Sequence, residues 1–165
     1  MKVGVVLRKF MKVSLDQFKN DFHSSDYLKT YNEIIMPIRA TNLSAGYDFY
    51  SPSEYLLKSG ESIKIPTGIR VKMQDNEWLG IYIRSSIGFK YNVRPKNSVG
   101  IIDSDYINAK NEGHIWVALY NHGEEDLIIK KGEPFAQGIF QKYLLVENDE
   151  PKEIHRNGGI GSTNS

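Results

Sequence analysis

Short runs in which apolar and polar residues alternate dominate the chain, and each reads as a half-buried strand. Ile69, Val71 and Met73 alternate with Arg70 and Lys72, Ile81-Tyr-Ile83 alternates up to Arg84, and Ile115, Val117 and Leu119 alternate with Trp116, Ala118 and Tyr120. Val3-Gly-Val-Val-Leu7, Leu127-Ile-Ile129, Ala136 to Phe140 and Tyr143 to Val146 are further β-forming stretches. Lys58-Ser-Gly60, Asp75-Asn76, Asn121-His-Gly123 and Lys131-Gly132 separate them as turns. Many short strands at this spacing predict an all-β sandwich or barrel-like jelly roll. One or two short helices interrupt it. Ser14-Leu-Asp-Gln17 has the form of a capping box, and Leu15, Phe18 and Phe22 share a helical face. A second helix is predicted from Ser86, a suitable N-cap, through Ile87 to about Tyr91. From Glu147 the chain is charged, then Gly-rich (Asn157-Gly-Gly-Ile-Gly161), with no core periodicity. This pattern predicts a β domain over 1–146 and a mobile arm over 147–165.

Composition narrows the picture. A chain of 165 residues with 40% hydrophobic residues has room for a real core in one domain. Lys plus Arg total 21 against 20 for Asp plus Glu, so no global basic excess points to nucleic acid or an anionic membrane. There is no cysteine, which excludes disulfides and thiolate zinc sites. The four histidines, His23, His114, His122 and His155, lack metal-ligand spacing. No apolar stretch approaches the ~20 residues of a spanning helix, and Met1 to Leu7 is too short for a secretory signal. A soluble, cytoplasmic protein is the expectation.

The candidate chemistry centres on Asn97-Ser-Val-Gly-Ile-Ile-Asp-Ser-Asp-Tyr106. Ser98 to Ile102 reads as a buried strand, and it ends in charges that a packed core would not accept. Taken alone, the segment reads as well as a strand running into an acidic turn. Arg84-Ser85-Ser86, at a strand-to-helix junction, offers a guanidinium, two hydroxyls and helix-end amides, a set suited to a polyphosphate or to an ordinary N-cap. Asp103 is a candidate general base, because hydrolysis at a phosphorus needs a water relieved of its proton.

These two segments, with Ser44-Ala-Gly-Tyr-Asp-Phe49, Gly132-Glu-Pro-Phe-Ala-Gln137 and Arg156-Asn-Gly-Gly-Ile-Gly-Ser-Thr163, fall in an order that resembles the five motifs of the trimeric dUTP pyrophosphatases. The resemblance runs from about Ile38 to Thr163. It implies a dUTPase-like β-barrel, hydrolysis of dUTP to dUMP and pyrophosphate, and a homotrimer with sites at subunit interfaces. It gives Arg84 to the γ-phosphate region, Ser85 to the α–β bridging oxygen and the amides around Ser86 to the β-phosphate. It places the main chain of Ile101, Ile102 and Trp116 in a hairpin that reads uracil. It sets Tyr106 under the deoxyribose, where the ring rejects a 2′-hydroxyl. Asn97 orients the water or contacts the base. Mg²⁺ is the implied cofactor, held by no direct protein ligand; Asp48 and Gln137 hold its waters. Arg156, Ile160, Gly161 and Ser162 belong to an arm that closes over the nucleotide.

The match has departures. Ile160 stands where an aromatic usually stacks on uracil, and Pro134 where Arg is common. Ile107 to Gly113 replaces a tight turn after Tyr106. The stretch from about 14 to 32 lies outside the motifs and reads as an insertion, with a protein contact as one use for it, since some phage members of the family act on repressors. The nearest rival is dCTP deaminase, which shares the fold and an Arg-Ser-Ser motif. Its catalytic Glu position falls on Ala118, which cannot shuttle a proton.

Overall fold

Twelve strands, three α-helices and one 3₁₀ turn follow one another along residues 8–152, the part of the chain that the computed structural model describes. In order they are β1 (Lys9–Lys12), α1 (Leu15–Asp21), α2 (Tyr27–Asn32), β2 (Ile38–Arg39), β3 (Tyr47–Tyr50), β4 (Tyr55–Leu57), β5 (Ser62–Pro66), β6 (Ile69–Lys72) and β7 (Glu77–Ile83). Then come α3 (Ser85–Tyr91), β8 (Val93–Pro95), β9 (Gly100–Asp103), the 3₁₀ turn (Ser104–Asn108), β10 (Trp116–Asn121), β11 (Leu127–Ile129) and β12 (Pro134–Lys142). The largest sheet has five strands in the order β2-β3-β12-β7-β9, and β5-β10-β8 form a second. The pairs β1-β6 and β11-β4 complete the wall, and every ladder is antiparallel. The alternating residues Ile69/Val71 and Ile115/Val117/Leu119 point inward, onto a core with Phe49, Leu57, Leu79 and Phe135 at its centre. This is the all-β, jelly-roll-like architecture that the strand spacing implies.

The segment read as an insertion folds as a helical pair with its own small core of Val13, Phe18 and Phe22, flanked by Tyr27, Tyr31 and Ile34. Ser14 caps α1, its Oγ accepting the Gln17 N–H at 3.1 Å. The capping box is half formed: Gln17 turns its amide forward to Asp21 Oδ2 at 2.7 Å, and the Ser14 N–H donates instead to Glu112 across the fold. α2 is a third helix that the polar, aromatic composition of its residues conceals.

Several expectations are corrected. α3 begins two residues earlier than predicted, with Arg84 rather than Ser86 at its N-cap and without a side-chain cap bond. Tyr143 to Val146 is not a strand, because β12 runs out of partner where β7 begins, at Glu77. The segment before Asp103 is not a buried strand: Ser98 turns at φ 65°, and β9 then forms the outer edge of the large sheet with Ile101 61% exposed. The strand expected at Val3 to Leu7 and the arm residues Arg156, Ile160, Gly161 and Ser162 lie outside the described residues. Glu147 to Lys152 are exposed and irregular. No helix among the described residues is long and apolar enough to cross a membrane.

Candidate active site

Three strands of the large sheet bring Asp48, Gln137 and Arg84 to one corner. On β3 and β12, Asp48 and Gln137 are direct cross-strand partners, and Gln137 also faces Tyr82 of β7. Two positions beyond Tyr82, Arg84 turns its guanidinium inward. Its Nε lies 3.2 Å from Asp48 Oδ1, and its Nη1 donates to the Pro134 carbonyl at 3.3 Å. Proline at 134 gives up an N–H, which a first strand residue can spare, and keeps the carbonyl that accepts from Arg84. Gln137 Nε2 donates to the Ile83 carbonyl at 3.2 Å, which fixes the amide beside the strand end. The close approach depends on Gly46: a Cβ there would stand 2.4 Å from Gln137 Oε1. Ser85 and Ser86 follow on the first turn of α3, both exposed.

Asp103 lies at the other end of the same sheet. It pairs with Trp78 at the start of β7, stands at the N-cap position of the 3₁₀ turn without a side-chain cap bond, and lines a shallow acidic hollow with Glu77, Ser104, Asp105 and Tyr143. Trp78 and Arg84 are six positions apart on an extended strand, about 20 Å at the rise of a β-strand. Within one chain, the Arg84 corner and the Asp103 carboxylate therefore do not meet. Ile101 and Ile102 accompany Asp103 on β9, whereas Trp116 sits on β10, opposite Pro66 in the second sheet. The expected Ile101/Ile102/Trp116 hairpin is thus not a hydrogen-bonded ladder among the described residues: β9 pairs with β7, and β10 with β5 and β8. The longer connection causes this, since the 3₁₀ turn and the loop to His114 separate the two strands. Asn97 is exposed in the turn leading to β9, its carbonyl accepting the Val99 N–H at 2.7 Å.

Tyr106 is buried on the 3₁₀ turn. Its hydroxyl donates to the His114 carbonyl at 2.9 Å and accepts from Asn111 Nδ2 at 2.8 Å. The loop doubles back on this ring through Glu112 and Gly113, at φ 58° and 73°. Gly113 is required there, because a Cβ would fall 2.7 Å from Ile107 Cα.

Sequence reasoning missed the support behind this loop. His114, fully buried, shares a hydrogen bond between its Nδ1 and Asp21 Oδ2 of α1 at 2.5 Å, and its Nε2 accepts the Gly68 N–H at 2.8 Å. An Nε2 that accepts must be unprotonated, so Nδ1 carries the proton and the ring is neutral. Burial holds the His114 pKa below its ordinary value, against the opposing pull of Asp21. Glu112 receives Ser14 N at 2.8 Å and Ser14 Oγ at 2.6 Å, with Arg70 Nη1 at 3.6 Å. Burial alone would raise the Glu112 carboxyl, but the Ser14 bonds and the charge of Arg70 outweigh it and leave the pKa lowered. The one sequence signal for this was the length of the connection from Ile107 to Gly113.

No group of three or more His, Cys, Asp or Glu side chains among the described residues could cage a metal. A cation here would have to draw on phosphate oxygens and waters, which is how Mg²⁺ is commonly held. The carboxylate of Asp48 and the amide of Gln137 are the polar groups suited to its waters.

A profile of the dUTPase family matches residues 32–164. The deoxyuridine 5'-triphosphate nucleotidohydrolase of Lactococcus lactis is 42% identical over 132 residues, covering 79% of this chain and 88% of that protein. The enzyme of the same name from Rickettsia felis is 40% identical, covering 78% and 87%. Among solved structures, the crystal structure of dUTPase from Streptococcus mutans superposes with a TM-score of 0.68 at 31% identity, covering 84% of this chain and 98% of that one.

Proposed function

The chain belongs to the dUTPase family, and from that premise we propose that it hydrolyses dUTP to dUMP and pyrophosphate at sites shared between three copies of itself. One observation carries the shared site: Arg84, Asp48 and Gln137 gather at one end of β7, and Asp103 lies at the other. Neither end is complete alone, and a neighbouring copy brings a carboxylate to a phosphate corner.

In this reading Asp103 accepts a proton from the water as its oxygen attacks the α-phosphorus. The bond from that phosphorus to the α–β bridging oxygen breaks, and pyrophosphate leaves. Two of the five N–H donors of Arg84 already go to Asp48 and Pro134; the outer face of the guanidinium is left for the γ-phosphate. Ser85 faces the bridging oxygen and the amides around Ser86 the β-phosphate. The main chain of Ile101, Ile102 and Trp116 borders the uracil, Asn97 orients the water or contacts the base, and the Tyr106 ring lies against C2′. Arg156, Ile160, Gly161 and Ser162, beyond the described residues, complete the cover. Mg²⁺ bound to the triphosphate would neutralise its charge, and Asp48 and Gln137 would hold the waters around the ion. Ala118, on β10, carries no group that could move a proton, so the geometry gives no support to deamination.

Asp103→Asn tests the assignment. Turnover of dUTP should fall ~10²–10⁴-fold while nucleotide binding persists, since the phosphate contacts lie elsewhere. A kcat near that of the parent would remove Asp103 from the role. Pyrophosphate release measured across dUTP, dCTP, dTTP and UTP should be confined to dUTP.

A further inference from the structure

The helical insertion reaches the rest of the molecule at an unexpected place. α1 and α2 lie before most of the stretch that the family profile matches, 32–164. Yet α1 is tied to the loop that holds the Tyr106 hydroxyl. At its N-terminus, the Ser14 N–H and Oγ grip both oxygens of Glu112, at 2.8 and 2.6 Å. At its C-terminus, Asp21 Oδ2 accepts from His114 Nδ1 at 2.5 Å and from Gln17 Nε2 at 2.7 Å. Between these two grips stands only Gly113, in a left-handed conformation. The far side of the imidazole is held by the Gly68 N–H, and Phe18 lies with its ring 6.4 Å from that of His114.

His114 is therefore held at both ring nitrogens and along its main chain, where its N–H also donates to the Asn111 carbonyl at 3.0 Å. Its side chain joins α1 to Gly68, and its main-chain carbonyl accepts the Tyr106 hydroxyl at 2.9 Å. Asn111, another partner of that hydroxyl, sits next to Glu112 and accepts the Gly113 N–H at 3.2 Å. Two partners of the Tyr106 hydroxyl, His114 and Asn111, thus lie in one short turn, and α1 pins that turn at Glu112 and His114. A ring that tells hydrogen from hydroxyl at a sugar carbon must be placed to a fraction of an ångström, because discrimination rests on contact and not on charge.

We infer that the N-terminal helix is a specificity element, in which Asp21 and Ser14 act as positioning residues that hold Tyr106 against the sugar through His114 and Glu112. The inference rests on the reading of Tyr106 given under Proposed function. It makes the segment part of substrate selection through contacts made within the protein.

The test uses the full chain and measures kcat/KM for dUTP and for UTP. In Asp21→Ala the dUTP-to-UTP ratio should shrink by about tenfold to a hundredfold, the scale of a small misplacement. The kcat for dUTP should fall far less than the ratio, since Asp103 is on the other side of the 3₁₀ turn. Asp21→Asn keeps an oxygen that can accept from a neutral His114, so it should hold the ratio within about twofold of the parent, the rescue that a positioning role requires. If Asp21→Ala does not fold, Ser14→Ala and Glu112→Gln read the same ratio, each with a smaller narrowing. An unchanged ratio in Asp21→Ala, or in both substitutes, overturns the inference. Tyr106→Ala separates the two levels. A narrowed ratio there with an unchanged one in Asp21→Ala defeats only the helix's role, whereas an unchanged ratio in Tyr106→Ala defeats the reading beneath it and the inference with it.

Discussion

Gly46 shows how a site can depend on a side chain that is missing. In the sequence, Gly46-Tyr-Asp48 is a turn, and nothing marks the glycine as more than that. In the fold, the space over Gly46 is filled by the Gln137 amide, which reaches it from the neighbouring strand. The clash falls on the far end of a flexible side chain, so Gly46→Ala should be accommodated by swinging Gln137 away from the Ile83 carbonyl. The expected result is a melting temperature within a few degrees of the parent and a kcat/KM for dUTP lower by about tenfold or more. Steady-state kinetics beside thermal melts check it, and an unchanged kcat/KM would mean that Gln137 has no part in the site. Asp48, Arg84 and Gln137 were legible as motif members. Their mutual contacts were not, because the ion pair and the cross-strand register depend on which strands become neighbours.

The strands were legible wherever one face is buried and the other wet, as in β6 and β10, since alternation records that environment directly. The reading failed where tertiary context decides. Ser98 to Ile102 is apolar enough for a core but became an edge, and Tyr143 to Val146 had no partner left to pair with. α1 was visible through Ser14 and its Phe18/Phe22 face; its docking onto His114 was not. That docking has a thermodynamic signature. The native state holds His114 neutral and its pKa below the ordinary 6.5, so on acidification the unfolded chain takes up the proton first. The stability from neutral His114 is complete above 6.5 and is lost as pH falls from there towards the depressed native value. Glu77 and Glu112, both lowered from 4.5, act only at still lower pH. Glu77 owes its shift first to the Arg8 guanidinium. Melting temperatures followed from about pH 8 to about pH 5 should decline below the histidine value, and His114→Gln should flatten that decline. Equal slopes in the two proteins would show that His114 titrates freely.

At the scale of the whole molecule, the order of the motifs along the chain disclosed the family but not the roughly 20 Å of β7 between Arg84 and Asp103, which follows from topology. If sites are shared between copies, two inactive chains should repair one another. Arg84→Ala and Asp103→Asn subunits, refolded together in equal amounts, should restore roughly a quarter of the sites in a three-fold ring, because each site draws one residue from each of two neighbours. Activity no greater than the sum of the separate mutants would place both residues in one chain's site. The tie between α1 and His114 has a different consequence, one for the ribosome. The two residues of that bond are 93 positions apart. At ~5–20 residues per second, α1 is finished about 5–20 s before its partner is made. Through that interval the α1–α2 pair has only its own small core around Phe18 and Phe22, so the nascent helix leaves the face that meets His114 open to chaperones until the Asp103–His114 segment arrives to receive it.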